Sequence, residues 1–238
     1  MSVQTDYIAV DLETTGLDPK KDKIIEIGAI RVSGGKETAQ FHTMVNPHRT
    51  IEERIRDLTG ITDEMVEHGP DIGDIIGAFV EFCGELPLLG HHVIFDYSFL
   101  KRAAVNQRLE FERSGIDTLK LCRAFMPEEE RKNLAAACAF YRIEREGAHR
   151  ALGDARDAHE LFLTLAELHG EARSEVFAPK PLIYKVKREQ PASKKQKEDL
   201  QYLLKYHRID LPVQIEHLSR NEASRITDQV ISRYGRIR

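Results

Sequence analysis

Between Tyr7 and Val45 the chain carries three apolar runs, Tyr7–Glu13, Ile24–Val32 and Thr38–Val45, joined by short connections. A parallel pair of strands needs a crossover of about a dozen residues or more, usually a helix, so these three imply an antiparallel meander. Gly34-Gly35 marks a tight hairpin between the second and third runs, and Asn46-Pro47 stops the third. Beyond Pro47 the period changes. Ile72, Ile75, Ile76, Phe79, Val80 and Cys83 recur at three- and four-residue spacing, which predicts an amphipathic helix against a core. Leu86–Phe95 reads as a short strand, Phe95–Val105 as a helix, and Ile116-Asp117 as a brief strand or loop. Helices are then expected near Thr118–Phe125, Asn133–Tyr141 and Ala151–Leu168. The last has Ala158, Leu161, Leu165 and Leu168 as its core stripe. The expectation is an α/β fold, a mixed sheet covered by helices.

Charge divides the chain. Residues 180–238 hold 14 Lys and Arg against 7 Asp and Glu, whereas residues 1–179 hold 21 against 32. An acidic body with a basic tail suggests two pieces with different duties. Loss of periodicity, with Pro179, Pro181 and Pro191, places a linker over 171–192, although Leu182-Ile183-Tyr184 could dock on the body. This gives a body over 1–170 and a small basic helical module over 193–238. Ser193 to Gln196 and Ser219 to Glu222 both read as capping boxes. The first helix would bury Leu200, Leu203 and Leu204; the second, carrying Ala223, Ile226, Val230 and Tyr234, would end at Gly235. About 45 residues is too small a unit to be stable without docking or a partner. No apolar run approaches the roughly 18 residues of a membrane span. Three cysteines without a CxxC pattern argue against a disulfide or zinc scaffold, and a cytoplasmic location is expected.

The chemistry lies in three carboxylate segments. Asp11 and Glu13, two apart at the end of the first strand, project from the same face. Two carboxylates side by side repel, an arrangement that is stable mainly with a cation between them. Alone, a DxE triplet is usually solvated surface. Asp96 follows Gly90-His91-His92-Val93-Ile94-Phe95, closing an apolar stretch and opening a helix, where a capping carboxylate is the bland alternative. Asp154 lies on the stripe of Ala158, Leu161 and Leu165 and points inward, so it needs a partner. His149 falls in the preceding loop, and Asp157 lies off the stripe and reads as surface.

Together, D-x-E followed by Thr14-Thr15-Gly16, then G-H-x-x-x-F-D, then A-H-R-A-x-x-D-A resemble the three motifs of the DEDDh (DnaQ-like) exonucleases. Leu58-Thr59-Gly60-Ile61-Thr62 and Asp117-Thr118-Leu119 also resemble segments of that family, and the resemblance covers about residues 6–168. It implies a ribonuclease H-like fold, in which three antiparallel strands lead into parallel ones. It also implies that Asp11, Glu13, Asp96 and Asp154 bind two divalent ions, Mg²⁺ or Mn²⁺, with His149 as general base. On this resemblance Asp11 would bridge both ions, Glu13 and Asp154 would hold the nucleophile side, and Asp96 the other. A tyrosine subgroup would place Tyr where this chain has Arg150, so only the histidine subgroup fits. One departure is His92, where the family usually has Asn; it affects local hydrogen bonds rather than the carboxylates. The turn at Thr14 and Thr15, with Phe95, would meet the substrate end.

The implied activity is 3′→5′ hydrolysis of nucleic acid to nucleoside 5′-monophosphates, with DNA favoured over RNA, in proofreading, repair or processing. An exoribonuclease of the same fold is the first alternative. A non-catalytic accessory binding nucleic-acid ends or a polymerase is the second. Gln201-Tyr202-Leu203-Leu204-Lys205-Tyr206 faintly resembles a sliding-clamp peptide, but the apolar stripe of a helix explains it better. The basic tail could hold a nucleic-acid backbone or dock against a partner.

Overall fold

The computed structural model describes residues 3–145 and 150–237. Its sheet has six strands: β1 (Tyr7–Thr14), β2 (Ile24–Ser33), β3 (Lys36–Met44), β4 (Leu88–Gly90), β5 (Ser114–Asp117) and β6 (Lys180–Pro181). Their spatial order is β3-β2-β1-β4-β5-β6. The first three are antiparallel, and β1–β4 and β4–β5 are parallel. This is the ribonuclease H-like arrangement expected from the sequence. The β2–β3 turn closes from Ser33 to Lys36 through Gly34 and Gly35 at φ 57° and 76°, a two-residue hairpin whose backbone glycine adopts without strain.

Helices α1 (Glu53–Thr59), α2 (Asp63–Val66), α3 (Ile72–Cys83), α4 (Ile94–Asn106), α5 (Thr118–Phe125), α6 (Leu134–Phe140) and α7 (Ala151–His169) complete the body. Strand alternation sorts β1 between two cores. Ile8, Val10 and Leu12 face α3 and α4, while Tyr7 and Ala9 face α5, α6 and α7. The cysteines are buried, Cys83 in the first core, Cys122 in the second, and Cys138 on α6, which packs against α7. Burial pushes their thiols up, to about 12, 11 and 12 respectively.

Some expectations shift. The run Leu86–Phe95 is strand only over Leu88–Gly90; the chain then turns through His92 at φ 78°, and Ile94 and Phe95 already belong to α4. Apolar periodicity cannot separate a short buried strand from the first turn of a buried helix. Leu168 is 59% exposed, because the last turn of α7 runs past the layer it packs on. The segment after α7 is pinned rather than loose. Its β6 pairs with β5, Leu182 is buried and donates its N–H to the Arg113 carbonyl at 2.9 Å, and Arg102 pairs with Glu189 at 2.5 Å.

Both C-terminal capping boxes form, opening α8 (Lys194–His207) and α9 (Arg220–Tyr234). Leu200, Leu203, Leu204, Ala223 and Val230 share a small core of their own, so the leucines of the clamp-like hexapeptide are committed to the interior. Tyr234, expected on the stripe, is 47% exposed in the last turn of α9. The pair of helices docks on the body. Arg49 and Val213 form a bridge, the His48 and His217 rings stack at 3.4 Å, and Asp71 meets both imidazoles.

Glu222 is the anchor of that contact. Its carboxylate, 2% exposed as a residue, lies 2.9 Å from Lys23 Nζ and 3.1 Å from Arg49 Nη2, and it accepts the Ser219 N–H at 3.0 Å. Burial alone would raise its pKa, but the Lys23 ammonium and the Ser219 donors outweigh that and hold it at about 2. A carboxylate with a depressed folded pKa stabilises the fold above its unfolded value, and that contribution is lost as pH falls through the folded value. Glu222→Gln is therefore expected to cost up to about 3 kcal/mol at neutral pH. The difference from wild type should shrink between about pH 4.5 and 2 in urea melts.

Candidate active site

The carboxyl ends of β1 and β4 lie side by side, the edge of an α/β sheet where ligands bind. Asp11 and Glu13 leave β1 on the α7 face, and α7 brings Asp154 in its first turn toward them. One carboxylate oxygen from each of Asp11, Glu13 and Asp154 lies within 4.8 Å of the other two. Asp96, in the first turn of α4, arrives from the opposite layer. Its Oδ1 accepts the Leu12 N–H at 3.1 Å, tying α4 to the strand between Asp11 and Glu13. Asp96 stands outside that closest trio, yet its charge acts on Asp11 more strongly than that of any other carboxylate. His149 lies outside the described residues.

The approach of α7 requires a glycine. Gly28 pairs with Asp11 across the sheet, and a Cβ there would collide with the Leu152 nitrogen and the Ala151 carbonyl carbon. These are backbone atoms at the start of α7, so the whole helix would have to move. Gly28→Ala is expected to lower the melting temperature by several degrees, since overpacking costs about 1–3 kcal/mol. It should also reduce turnover by about 10²-fold through displacement of Asp154. Thermal melts and initial rates on one oligonucleotide check both expectations.

Glu26, opposite Glu13 in the register, is a buried residue that the sequence reading did not single out. Arg150 binds it through Nη2 at 2.8 Å and Nε at 3.1 Å, His42 Nε2 at 2.7 Å, and the Ala151 N–H at 3.1 Å. Burial would raise its pKa, but these donors keep it below the ordinary glutamate value. Glu26 thus serves as an acceptor for an otherwise unsatisfied donor at the N-terminus of α7. The available signal was a lone charge inside the apolar run Ile24–Val32.

Asp157, read from sequence as surface, is 6% exposed. Arg145 folds over α7 and pairs with both Asp157 and Asp154, the latter at 2.5 Å, so burial is compensated by charge pairing. His92 explains its own departure from the family pattern. It holds φ 78° while donating its N–H to Asp117 Oδ1 at 3.0 Å, a left-handed backbone in which Asn and His are both enriched.

The electrostatics are those of crowded carboxylates in poor solvent. Burial first, then Asp96, Glu13 and Asp154, push Asp11 well above the usual carboxylate range. Asp96 is raised well above it too, chiefly by burial. Glu13 is raised to about 7 by burial, Asp154 and Glu26, with Arg150 opposing. An all-oxygen donor set that repels itself matches hard divalent cations, Mg²⁺ or Mn²⁺, better than zinc.

Beside Glu13 opens a cavity of about 540 Å³ lined by Leu12, Thr14, Leu17, Leu58 and Phe95. Leu17 and Leu58 are exposed at its rim. The Thr14 hydroxyl donates to the Gly16 carbonyl at 2.7 Å, and the Thr15 hydroxyl accepts the Lys23 N–H at 2.9 Å. These bonds shape the turn that forms one wall.

The family model for exonucleases matches residues 8–162, ending before α8 and α9. The DNA polymerase III PolC-type protein of Bacillus subtilis is 39% identical over 162 residues, 67% of this chain but only 11% of its own length. The DNA polymerase III subunit epsilon of Aquifex aeolicus is 36% identical over 162 residues, 68% of this chain and 80% of its own. Among solved structures, exonuclease X in complex with 5′ overhanging duplex DNA superposes with a TM-score of 0.57 at 24% identity, over 72% of this chain and 99% of that one. Escherichia coli exonuclease I in complex with a dT13 oligonucleotide gives 0.60 at 18% identity, over 73% and 43%.

Proposed function

We propose, on the premise that this chain belongs to the exonuclease family and to its DEDDh group, that it removes nucleotides from the 3′ end of DNA as 5′-monophosphates. The observation that carries this reading is the convergence of Asp11, Glu13 and Asp154, with Asp96 reaching in from the facing layer, beside an apolar cleft. Asp11, Glu13, Asp96 and Asp154 would hold two divalent ions, Mg²⁺ or Mn²⁺. When bound, such ions stabilise the charge that develops on the attacking and departing oxygens of an in-line displacement. The protein's own part is to keep the carboxylates aimed while unfavourably close, which the Leu12–Asp96 bond, Gly28 and Glu26 accomplish. His149, by family resemblance, takes the proton of the attacking water near neutral pH. Phe95, Leu17 and Leu58 offer an apolar seat for the terminal base, and the turn at Thr14 and Thr15 would meet the 3′-hydroxyl.

Both relatives named above are DNA polymerase III proteins, which supports a DNA substrate, a place in replication or repair, and a polymerase as partner. The chain spans about a tenth of the PolC-type protein, and the exonuclease model matches residues 8–162. This supports reading 1–170 as the exonuclease domain, with 171–192 as the connection to a basic module over 193–238. Among the described residues no helix is long and apolar enough to cross a membrane. The test is a time course with Mg²⁺ or Mn²⁺ on 5′-labelled single-stranded DNA and RNA of the same sequence. Ladders shortening from the 3′ end on DNA are expected. Ladders on RNA alone would transfer the activity to RNA, and none on either would overturn the reading.

A further inference from the structure

The turn between β1 and β2 has one end in the apolar cleft and the other in a second cavity, of about 630 Å³, between the body and the C-terminal helices. Gly16 and Leu17 line the first, and Lys21 lines the second. Three more cations line this second cavity, Arg49 from the body and Arg225 and Arg233 from α9, against a single carboxylate, Asp210. Arg49 is committed to Glu222, and the Lys21 ammonium sits 3.2 Å from the exposed Asp18. Arg225 and Arg233 have no carboxylate within salt-bridge distance among the described residues. Arg233 instead lies 5.4 Å above the Tyr234 ring, which also lines the cavity.

Rings continue outward from there. His207 lies 5.7 Å from Tyr234 and 4.9 Å from Tyr206, and Tyr202 stands one turn before Tyr206 on α8. Tyr202, Tyr206 and Tyr234 are all about half exposed or more and stand outside the module's own core. Unpaired guanidinium groups beside a row of exposed rings form the surface that single-stranded nucleic acid requires: cations for the backbone, flat faces for unstacked bases. An acidic protein would use the cations but would not need the rings.

We infer that the cavity lined by Lys21, Arg225, Arg233 and Tyr234, continuing over Tyr206 and Tyr202, is a second binding site for single-stranded nucleic acid. It holds the strand upstream of the nucleotide in the cleft. This rests on the proposed exonuclease function and adds to it a reason for the basic module: the acidic body alone would repel a long substrate.

The experiment compares wild type with Arg225→Gln/Arg233→Gln and with Tyr206→Ser/Tyr234→Ser. Binding of a long fluorescent oligothymidylate is measured by anisotropy across a salt series, in an Asp11→Asn background. Hydrolysis of a small chromogenic thymidine 5′-phosphodiester is measured in proteins that retain Asp11. The arginine variant is expected to weaken oligonucleotide binding by about tenfold and to flatten log Kd against log salt by about 1.4, two phosphate contacts' worth. The tyrosine variant should weaken binding by about tenfold with the salt slope retained. Hydrolysis of the small substrate should be unchanged in both, which also shows that they fold. Unaltered affinity and slope, with the small substrate still cleaved by wild type, would overturn this inference alone. Failure of wild type to cleave any phosphodiester would overturn the exonuclease reading beneath it.

Discussion

Replacing Asp11 by asparagine is expected to reduce exonuclease turnover by at least about 10³-fold while raising the melting temperature of metal-free protein by about 2–4 °C. The two effects have one cause. Asp11 sits at the centre of the carboxylates, and its charged form is opposed by burial, Asp96, Glu13 and Asp154 together. An amide keeps the shape and removes the repulsion, and relief of about 1 kcal/mol would move the melting point of a chain this size by that amount. The amide would offer the cations no anionic oxygen, so the chemistry would be lost. Loss of activity with a lowered melting temperature would point instead to a structural role. Near-normal turnover would remove Asp11 from the site.

Chelator-treated protein is expected to gain about 5–10 °C when Mn²⁺ or Mg²⁺ is added at a hundred times its dissociation constant. A ligand at that level that binds only the folded state contributes about 2.7 kcal/mol, and each kilocalorie is worth a few degrees here. The cation also replaces carboxylate repulsion with attraction and must displace the protons that the raised carboxylates retain, so at one fixed metal concentration the gain should grow as pH rises through about 7, where Glu13 ionises. The Asp11→Asn variant should lose most of the shift. A calcium titration separates occupancy from turnover, because a hard cation of the wrong size can fill an oxygen site without supporting the reaction. Equal melting curves with and without Mn²⁺ would speak against a formed site.

The parts of this molecule that were legible in the sequence are those in which one local rule dominates. Two glycines in the β2–β3 turn, alternation along β1 and the serine capping boxes of α8 and α9 each have a short-range physical cause. The segments bearing Asp11, Glu13, Asp96 and Asp154 were legible because their spacing is joint, and the fold brings three of these carboxylates within 4.8 Å. What escaped depends on chains meeting from far apart. Asp157 looks like surface until Arg145 arrives from the preceding loop. Glu26 looks like a stray charge until Arg150 and the first amide of α7 reach it across the sheet. The strand β6 was hidden because Pro179 and Pro181 read as a linker, yet proline is tolerated on a sheet edge, where it has no donor to satisfy. Docking of α8 and α9 through Glu222, Lys23 and Arg49 leaves no periodic trace at all.

The three buried thiols have a practical consequence for a chain without tryptophan. With pKa values pushed to about 11–12, they present almost no thiolate at neutral pH, and alkylating reagents have no path to them in the folded state. Cys83 lies in one core, Cys122 in the other, and Cys138 on α6 against α7. The order in which the three are trapped by a fast thiol reagent therefore records which side of the sheet opens first, a native clock for breathing motions that intrinsic fluorescence would not report.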